Sequence, residues 1–322
     1  MKALACTALA PNLAGVALQD IDVPTIGPNE VLVKNRAACV NFPDLLMTEG
    51  KYQHRPELPF VIGMESAGDV VEVGADVQRI KVGDRVIVGG KSGAFAEYRA
   101  ASADAVRPIP AGLDFAEAAA HTAGLITAYV ALVRLGQIAS GETILVHGAA
   151  GGVGYAAVQL AKHRGATVIA TSASAHKRQW LRGFADQVLE PGEQLRDEVM
   201  AIAPRGVDLC FDPVGGDLFD RSVRCMAFGG RYLVIGFTSG RIPDISVNYP
   251  LIKGFSIIGV RAGEYGQRFP DKGTENIKVI DALAVAGLKP HIGARFDLSE
   301  GLAAMRCLTD RKALGRIAID IK

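Results

Sequence analysis

Apolar positions fall along the chain in two regimes. Up to about residue 110 they form short strand-like runs, at Ala3 to Thr7, Glu30 to Val40, Ser66 to Val73, Asp84 to Val88 and Phe95 to Ala100, separated by Gly, Pro and Asp turns. Gly63, Gly68, Gly74, Gly83, Gly89, Gly90 and Gly93 mark sharp corners, which predicts a β-rich, barrel-like module. From Pro110 the spacing becomes helical. Asp114 and Glu117 have the spacing of a capping box, with helices predicted over Ala116 to Ala120 and Ile126 to Leu135. Strands and helices then alternate. Thr143 to Ala149, Ala166 to Thr171, Val188 to Glu190, Val207 to Asp212, Arg231 to Gly236 and Phe255 to Val260 read as strands, with helices at Gln194 to Ala203 and Leu218 to Ala227. Such alternation predicts a parallel sheet covered by helices on both faces. A helix over Asn276 to Gly287 and a strand, helix, strand tail from Arg295 to Lys322 predict a return to the first module. The expected domains are therefore 1–121 with 288–322, and 122–287.

The segment Glu142 to Thr171 organises the second domain. Its first strand breaks into Ala149, Ala150, Gly151, Gly152, Val153 and Gly154, and a helix follows with Val153, Ala156, Ala157, Leu160 and Ala161 at helical spacing. Gly165 stands where a C-terminal cap belongs. The A-x-G-x-x-G spacing between a strand and a helix is the fingerprint of dinucleotide binding. Gly151 lets backbone N–H groups approach a pyrophosphate, and Gly154 lets the helix pack close to the strand.

An NAD site places an acidic residue about 20 positions beyond the glycines, to hold the ribose 2′-hydroxyl. Here the second strand ends in Thr171 and Ser172, and no acidic residue occurs between Thr143 and Ala185, whereas Lys162, Arg164, Lys177, Arg178 and Arg182 do. Ser172 and Lys177 can donate to a 2′-phosphate, so the expected cofactor is NADPH.

Composition narrows the setting. The 322 residues, 49% hydrophobic, suit two domains with sizeable cores, and a net charge of +1 points away from nucleic acid and acidic membrane surfaces. Five scattered cysteines, Cys6, Cys39, Cys210, Cys225 and Cys307, contain no C-x-x-C pair and fit reduced thiols in the cytoplasm. No secretory leader and no apolar run long enough to span a bilayer is expected. Of six histidines, His121 and His147 sit on apolar elements, where a satisfied core role is expected.

AAGGVG after a strand, Thr127-Ala128-Tyr129, the DPVGG segment at 212–216, the GFTSG segment at 236–240 and the VGDRV segment at 82–86 together resemble the medium-chain dehydrogenase/reductase superfamily. More narrowly the chain is similar to its zinc-independent, zeta-crystallin-like quinone oxidoreductases. That resemblance implies an α/β Rossmann domain with a doubly wound parallel sheet, beside a β-rich GroES-like catalytic domain built as a partly open barrel. Zinc-dependent relatives carry a cysteine where this chain has Asn41 and Gly-His-Glu where it has Gly63-Met64-Glu65, and no cysteine lies between Cys39 and Cys210 to form a structural zinc lobe. No metal is expected, and Cys39 is expected to be a core residue.

Residue by residue, the resemblance implies that Asn41 and Tyr52 line the substrate pocket beside the nicotinamide, and that Thr127 contacts the nicotinamide amide. It implies that Gly151, Gly152 and Val153 cradle the pyrophosphate, in a cofactor-binding turn that also includes Ala150 and Gly154, and that Lys177 faces the 2′-phosphate. Phe237, Thr238 and Ser239 would flank the nicotinamide end, and Arg311 would reach the adenosine phosphate from the other domain. Two positions depart from the pattern: Pro191 replaces a tyrosine that some relatives set against the 2′-phosphate, and Leu46 replaces a second pocket tyrosine.

Hydride arriving at a quinone or at the β-carbon of an enone builds charge on a carbonyl oxygen. Without zinc, the Asn41 amide and the Tyr52 hydroxyl are the expected donors. Reduction of small enones or acrylyl thioesters is a rival activity, and a crystallin-like structural role is a rival of another class. RNA binding is disfavoured by the near-neutral charge and the lack of a basic aromatic stripe. The apolar strand Phe255 to Val260 would lie at a sheet edge, which predicts a homodimer.

Overall fold

The first hundred-odd residues form eight short strands and one helix in the computed structural model, which describes Met1–Lys322. In order these are β1 (Lys2–Cys6), β2 (Val16–Asp20), β3 (Glu30–Cys39), helix α1 (Phe42–Thr48), β4 (Phe60–Val61), β5 (Glu65–Val73), β6 (Arg85–Val88), β7 (Tyr98–Ser102) and β8 (Val106–Pro108). β1 pairs antiparallel with β2 and β4, while β3, β5, β6 and β8 form successive neighbours of a larger sheet in which β7 also pairs with β3. Alternate residues of these strands point into one apolar centre, built from Val31, Val33, Val70, Val86, Val88 and Val106. The expected strand at Phe95 begins only at Tyr98. Phe95 is instead a fully buried core residue, whose N–H donates to Ile62 O at 2.8 Å and whose carbonyl accepts from Leu4 N at 2.8 Å.

The Asp114–Glu117 capping box forms, with Asp114 N donating to Glu117 Oε2 at 2.9 Å and Glu117 N donating to Asp114 Oδ1 at 2.7 Å. It opens α2 (Phe115–Tyr129), which continues without a break into a π-helical turn, Val130–Leu135. The two helices expected here are therefore one. Its length and apolarity are enough to cross a bilayer, contrary to expectation, but most of it is buried within the protein, as a core helix must be.

The chain next forms β9 (Thr143–Val146), α3 (Gly152–His163), β10 (Thr167–Thr171), α4 (Ala175–Leu181), β11 (Gln187–Leu189) and α5 (Leu195–Ile202). β12 (Val207–Asp212), α6 (Asp217–Ser222), β13 (Met226–Val234), α7 (Asn248–Lys253), β14 (Ser256–Gly259), α8 (Ala262–Arg268) and α9 (Pro270–Val285) follow. The six strands make one all-parallel sheet in the order β11-β10-β9-β12-β13-β14. The order reverses between β9 and β12, so a crevice opens at their carboxyl ends, where ligands bind in doubly wound sheets. β13 starts five residues earlier than the sequence pattern indicated, because Met226 already pairs with Val207 before a register shift.

The tail adds β15 (Ile292–Asp297), α10 (Gly301–Thr309) and β16 (Arg316–Asp320), with β16 pairing antiparallel to β3. One compact unit thus comprises Met1–Thr122 with Lys289–Lys322, and the other Ala123–Leu288.

Candidate nucleotide and substrate sites

In the second unit, β9 runs through His147 into Gly148, which adopts φ +56°, a left-handed conformation costly for other residues. Gly151 then caps α3, and the first turn of that helix carries no acidic residue. The first N–H groups of the helix have no partners within it, and its dipole adds positive potential at the same end. The turn tolerates nothing larger than glycine at 154, where an added Cβ would overlap the Gly148 carbonyl and sit 2.8 Å from Ala149 Cα. At 151 a Cβ would lie 3.3 Å from Gly148 O, within the cradle itself. Ala150 is buried behind the turn, while Gly151 is exposed and Gly152 and Val153 half-buried. These residues fit an anionic pyrophosphate.

Ser172 is buried just past the end of β10. Ser174 caps α4 by accepting from Lys177 N at 3.5 Å, which sets Lys177 on the first turn of a helix rather than in a loop. Arg178 is engaged differently: Nη1 donates to Ser172 O at 2.9 Å and to Ala173 O at 2.8 Å, and Nη2 pairs with Glu190 at 2.8 Å. It fixes the loop that presents Ser172. On α2, Gly124 lies against the start of α3, since a Cβ there would be 3.2 Å from Gly152 O; Thr127 stands half-buried one turn further on. Phe237 is half-buried, and Thr238 and Ser239 are exposed, in the turn that follows β13. Arg311 belongs to the first unit, exposed in the turn after α10 with φ +56° and its N–H donating to Leu308 O at 3.1 Å.

His147 is a satisfied core histidine. Its ring nitrogens lie 2.9 Å from Thr171 Oγ1 and 2.6 Å from Ser222 Oγ, and burial pushes its pKa down to about 4. It ties β9 to β10 and α6 as a neutral ring.

In the first unit, Asn41 is the N-cap of α1 and only 6% exposed. Its N–H donates to Asp44 Oδ2 at 2.7 Å. Its side-chain Nδ2 donates to Cys39 O at 3.1 Å and to Glu65 Oε2 at 3.0 Å, while Oδ1 accepts from Arg316 Nη2 at 2.9 Å. Arg316 also pairs with Glu65 at 2.9 Å, both side chains being less than a tenth exposed. Both amide hydrogens of Asn41 are therefore engaged, and donation to a substrate oxygen would require one of these bonds to break. Burial pushes Asp44 up to about 7 and Cys39 up to about 12, and lowers buried Arg99 to about 10. Cys39 is fully buried, the core position expected of it, and a thiol so disfavoured as thiolate is inert. Tyr52 lies in the loop after α1, half-buried against the core that holds Leu45, Met47 and Phe60. No three His, Cys, Asp or Glu side chains come together as a metal-binding group.

Sequence profiles match in two places, the alcohol dehydrogenase GroES-like domain over residues 27–111 and zinc-binding dehydrogenase over residues 152–278. A quinone oxidoreductase-like protein 2 homolog of Nematostella vectensis is 34% identical over 328 residues, covering 100% of this chain and 89% of that protein. The chain belongs to the medium-chain dehydrogenase/reductase superfamily. Among solved members, Escherichia coli quinone oxidoreductase complexed with NADPH superposes with a TM-score of 0.90 at 28% identity, over 99% of this chain and 100% of that one. A segment of mycoketide-CoA synthase from Mycobacterium tuberculosis is 34% identical over 317 residues, which is 96% of this chain and 7% of the synthase.

Within this dehydrogenase/reductase framework, the sequence pattern missed Arg316 and Arg178. The signal for Arg316 was present, as a lone cation opening β16 ahead of the apolar Ile317, Ala318 and Ile319, but its partners stand 251 and 275 residues away. Arg178 was visible only as one of several basic residues whose roles differ once α4 forms.

Proposed function

We propose that this protein is an NADPH-dependent oxidoreductase that transfers hydride, without zinc, to quinones or other α,β-unsaturated carbonyls. The observation that carries this reading is the glycine turn at the reversal of strand order, followed by a strand end with Ser172 and Lys177 nearby and no acidic residue in the first turn of α3. Bound NADPH supplies the hydride. Backbone N–H groups at Gly151, Gly152 and Val153 hold the pyrophosphate, and Ser172 and Lys177 donate to the 2′-phosphate. Thr127 and the Phe237–Ser239 turn would hold the nicotinamide end.

Tyr52 is the proton and hydrogen-bond donor to the carbonyl oxygen on which charge develops. Asn41, with its amide tied to Cys39, Glu65 and Arg316, forms a polar wall of the substrate site and becomes a donor only if its bond to Cys39 or Glu65 is exchanged for one to substrate. A neutral hydroxyl does this work where other family members use a metal, which fits the lack of a clustered ligand set. The protein is read as a cytoplasmic homodimer.

Enone or acrylyl-thioester reduction is the second reading. The likeness to a segment of mycoketide-CoA synthase favours it, as does half-buried Leu46 on α1 in place of a polar pocket residue. A crystallin-like structural role requires cofactor binding without turnover.

The test follows NADPH oxidation with a naphthoquinone, a simple enone and an acrylyl thioester in parallel, with NADH as control. Quinone turnover with NADPH supports the first reading, and a faster thioester replaces it with the second. Tyr52→Phe is expected to lower kcat by about 10²-fold while NADPH affinity stays unchanged. Undiminished turnover in this variant would remove Tyr52 from the chemistry.

A further inference from the structure

At the carboxyl end of β12, Asp212 is a carboxylate only 2% exposed, and its partners are all neutral donors. Oδ1 accepts from Val214 N at 2.8 Å and Gly215 N at 2.9 Å, and Oδ2 accepts from the hydroxyl of fully buried Tyr232 at 2.8 Å. Burying a carboxylate is costly unless it is fully hydrogen-bonded, so this one persists because three donors converge on it. Two of them shape the turn that follows its own strand. The third comes from β13, the next strand of the sheet.

The turn so fixed carries a second one. Ile235 N donates to Asp212 O at 2.9 Å, Thr238 N to Pro213 O at 3.1 Å, and Ser239 N to Val214 O at 3.0 Å. The two turns are also in direct contact: a Cβ added at Gly215 would lie 2.8 Å from Phe237 Cδ1, and one at Gly216 would lie 2.7 Å from Ser239 Oγ. Phe237, Thr238 and Ser239 are therefore tied to the turn that Asp212 holds, through backbone hydrogen bonds and close contact, and Ser239 also exchanges hydrogen bonds with Arg241 through its hydroxyl.

We propose that Asp212, braced by Tyr232, is the positioning residue for the nicotinamide-side turn Phe237–Ser239, acting through the Pro213–Gly216 turn and touching no reactant itself. This rests on the cofactor reading above. The phosphate-binding parts stand on other strands, with the glycine turn after β9 and the Ser172 loop after β10; only Gly148 approaches the Pro213–Val214 turn, at ordinary van der Waals distance, so loss of Asp212 is expected to act chiefly on the nicotinamide end.

The experiment measures the affinity of the full-length protein for NADPH and for 2′,5′-ADP, which carries the adenosine half and the 2′-phosphate but no nicotinamide. In Asp212→Ala, NADPH affinity is expected to fall about tenfold or more, while 2′,5′-ADP affinity stays within about twofold. Asp212→Asn keeps one oxygen for the two backbone amides and is expected to restore most of the loss. Should Asp212→Ala fail to fold, Tyr232→Phe removes one donor at nearly constant volume and is expected to show the same split. Equal losses for both ligands would reveal a general structural role and overturn the proposal, as would unchanged NADPH affinity in a folded Asp212→Ala. Wild-type protein that binds 2′,5′-ADP but gains nothing from the nicotinamide half would overturn it too. Wild-type protein that binds neither ligand would instead remove the cofactor reading, and the proposal with it.

Discussion

Asp44 at the start of α1 and His147 at the end of β9 are both fully buried, and burial moves them in opposite directions on the pH scale. Around Asp44, the Asn41 N–H, Arg316 and Arg99 favour the carboxylate and Glu65 opposes it, but desolvation outweighs them and the pKa rises from 3.8 to about 7. The folded protein then holds this proton more tightly than the unfolded chain. Its contribution to stability is complete below about pH 4 and is lost as pH rises through about 7. For His147 the folded pKa is depressed, so its contribution is present above 6.5 and is lost as pH falls through about 4. Urea unfolding at a series of pH values checks this. The stability difference between wild type and Asp44→Asn is expected to shift steadily in favour of the variant between about pH 4 and 7 and then level off; parallel curves would show that Asp44 does not titrate in that window. Glu65 and Arg316 make the same cluster sensitive to truncation. Arg316→Ala leaves the buried carboxylate without its cation and is expected to cost about 3–5 kcal/mol.

At the scale of elements, the β9–α3 turn depends on close backbone approach. Gly154→Ala places a methyl group against the backbone of Gly148 and Ala149, neither of which can rotate away. The helix must move off the strand end, at an expected cost of about 1–3 kcal/mol, with a parallel loss of NADPH affinity. Gly183→Ala, whose nearest neighbour would be Trp180 O at 3.6 Å, is the control and is expected to stay within about 0.5 kcal/mol. If the two variants melted alike, the close-packing argument would fail. This turn was legible in the sequence because its chemistry is local: strand, small residues, helix and cap follow one another within thirty positions. The Asp114–Glu117 box and the strand Val207–Asp212 were legible for the same reason. The helix over Phe115–Leu135, by contrast, read as two runs; Gly124 lies in the gap between them, and its use is close approach to α3 rather than termination. The polar grip on Asn41 was not legible at all, since β3, β5 and β16 meet there only through tertiary pairing, and the amide's engagement with Glu65 and Arg316 exists only once they have met.

For the whole molecule, the outer edge of the parallel sheet poses the remaining question. β14 pairs with β13 on one side and has no partner strand on the other. Around it the second unit exposes Phe228, Ile242, Val247, Leu251 and Ile252, with between 68% and 89% of each accessible. The Phe228 ring lies against Gly254, between α7 and β14, which sets the exposed part of β13 beside both elements. Monomeric proteins rarely leave an apolar face of this kind beside an unpaired strand edge. A second copy related by a two-fold axis would cover both at once, because the same patch then faces itself. Light scattering of the purified protein is expected to give the mass of a dimer. Val247→Glu combined with Leu251→Glu sets like charges on each copy against those of the other and is expected to give monomers. α7 contributes none of the residues assigned to the cofactor, so 2′,5′-ADP should still bind the monomer. Wild-type protein that stays monomeric at the same concentration would leave the face to some other partner, whereas a dimer that survives both substitutions would place the interface elsewhere on the molecule.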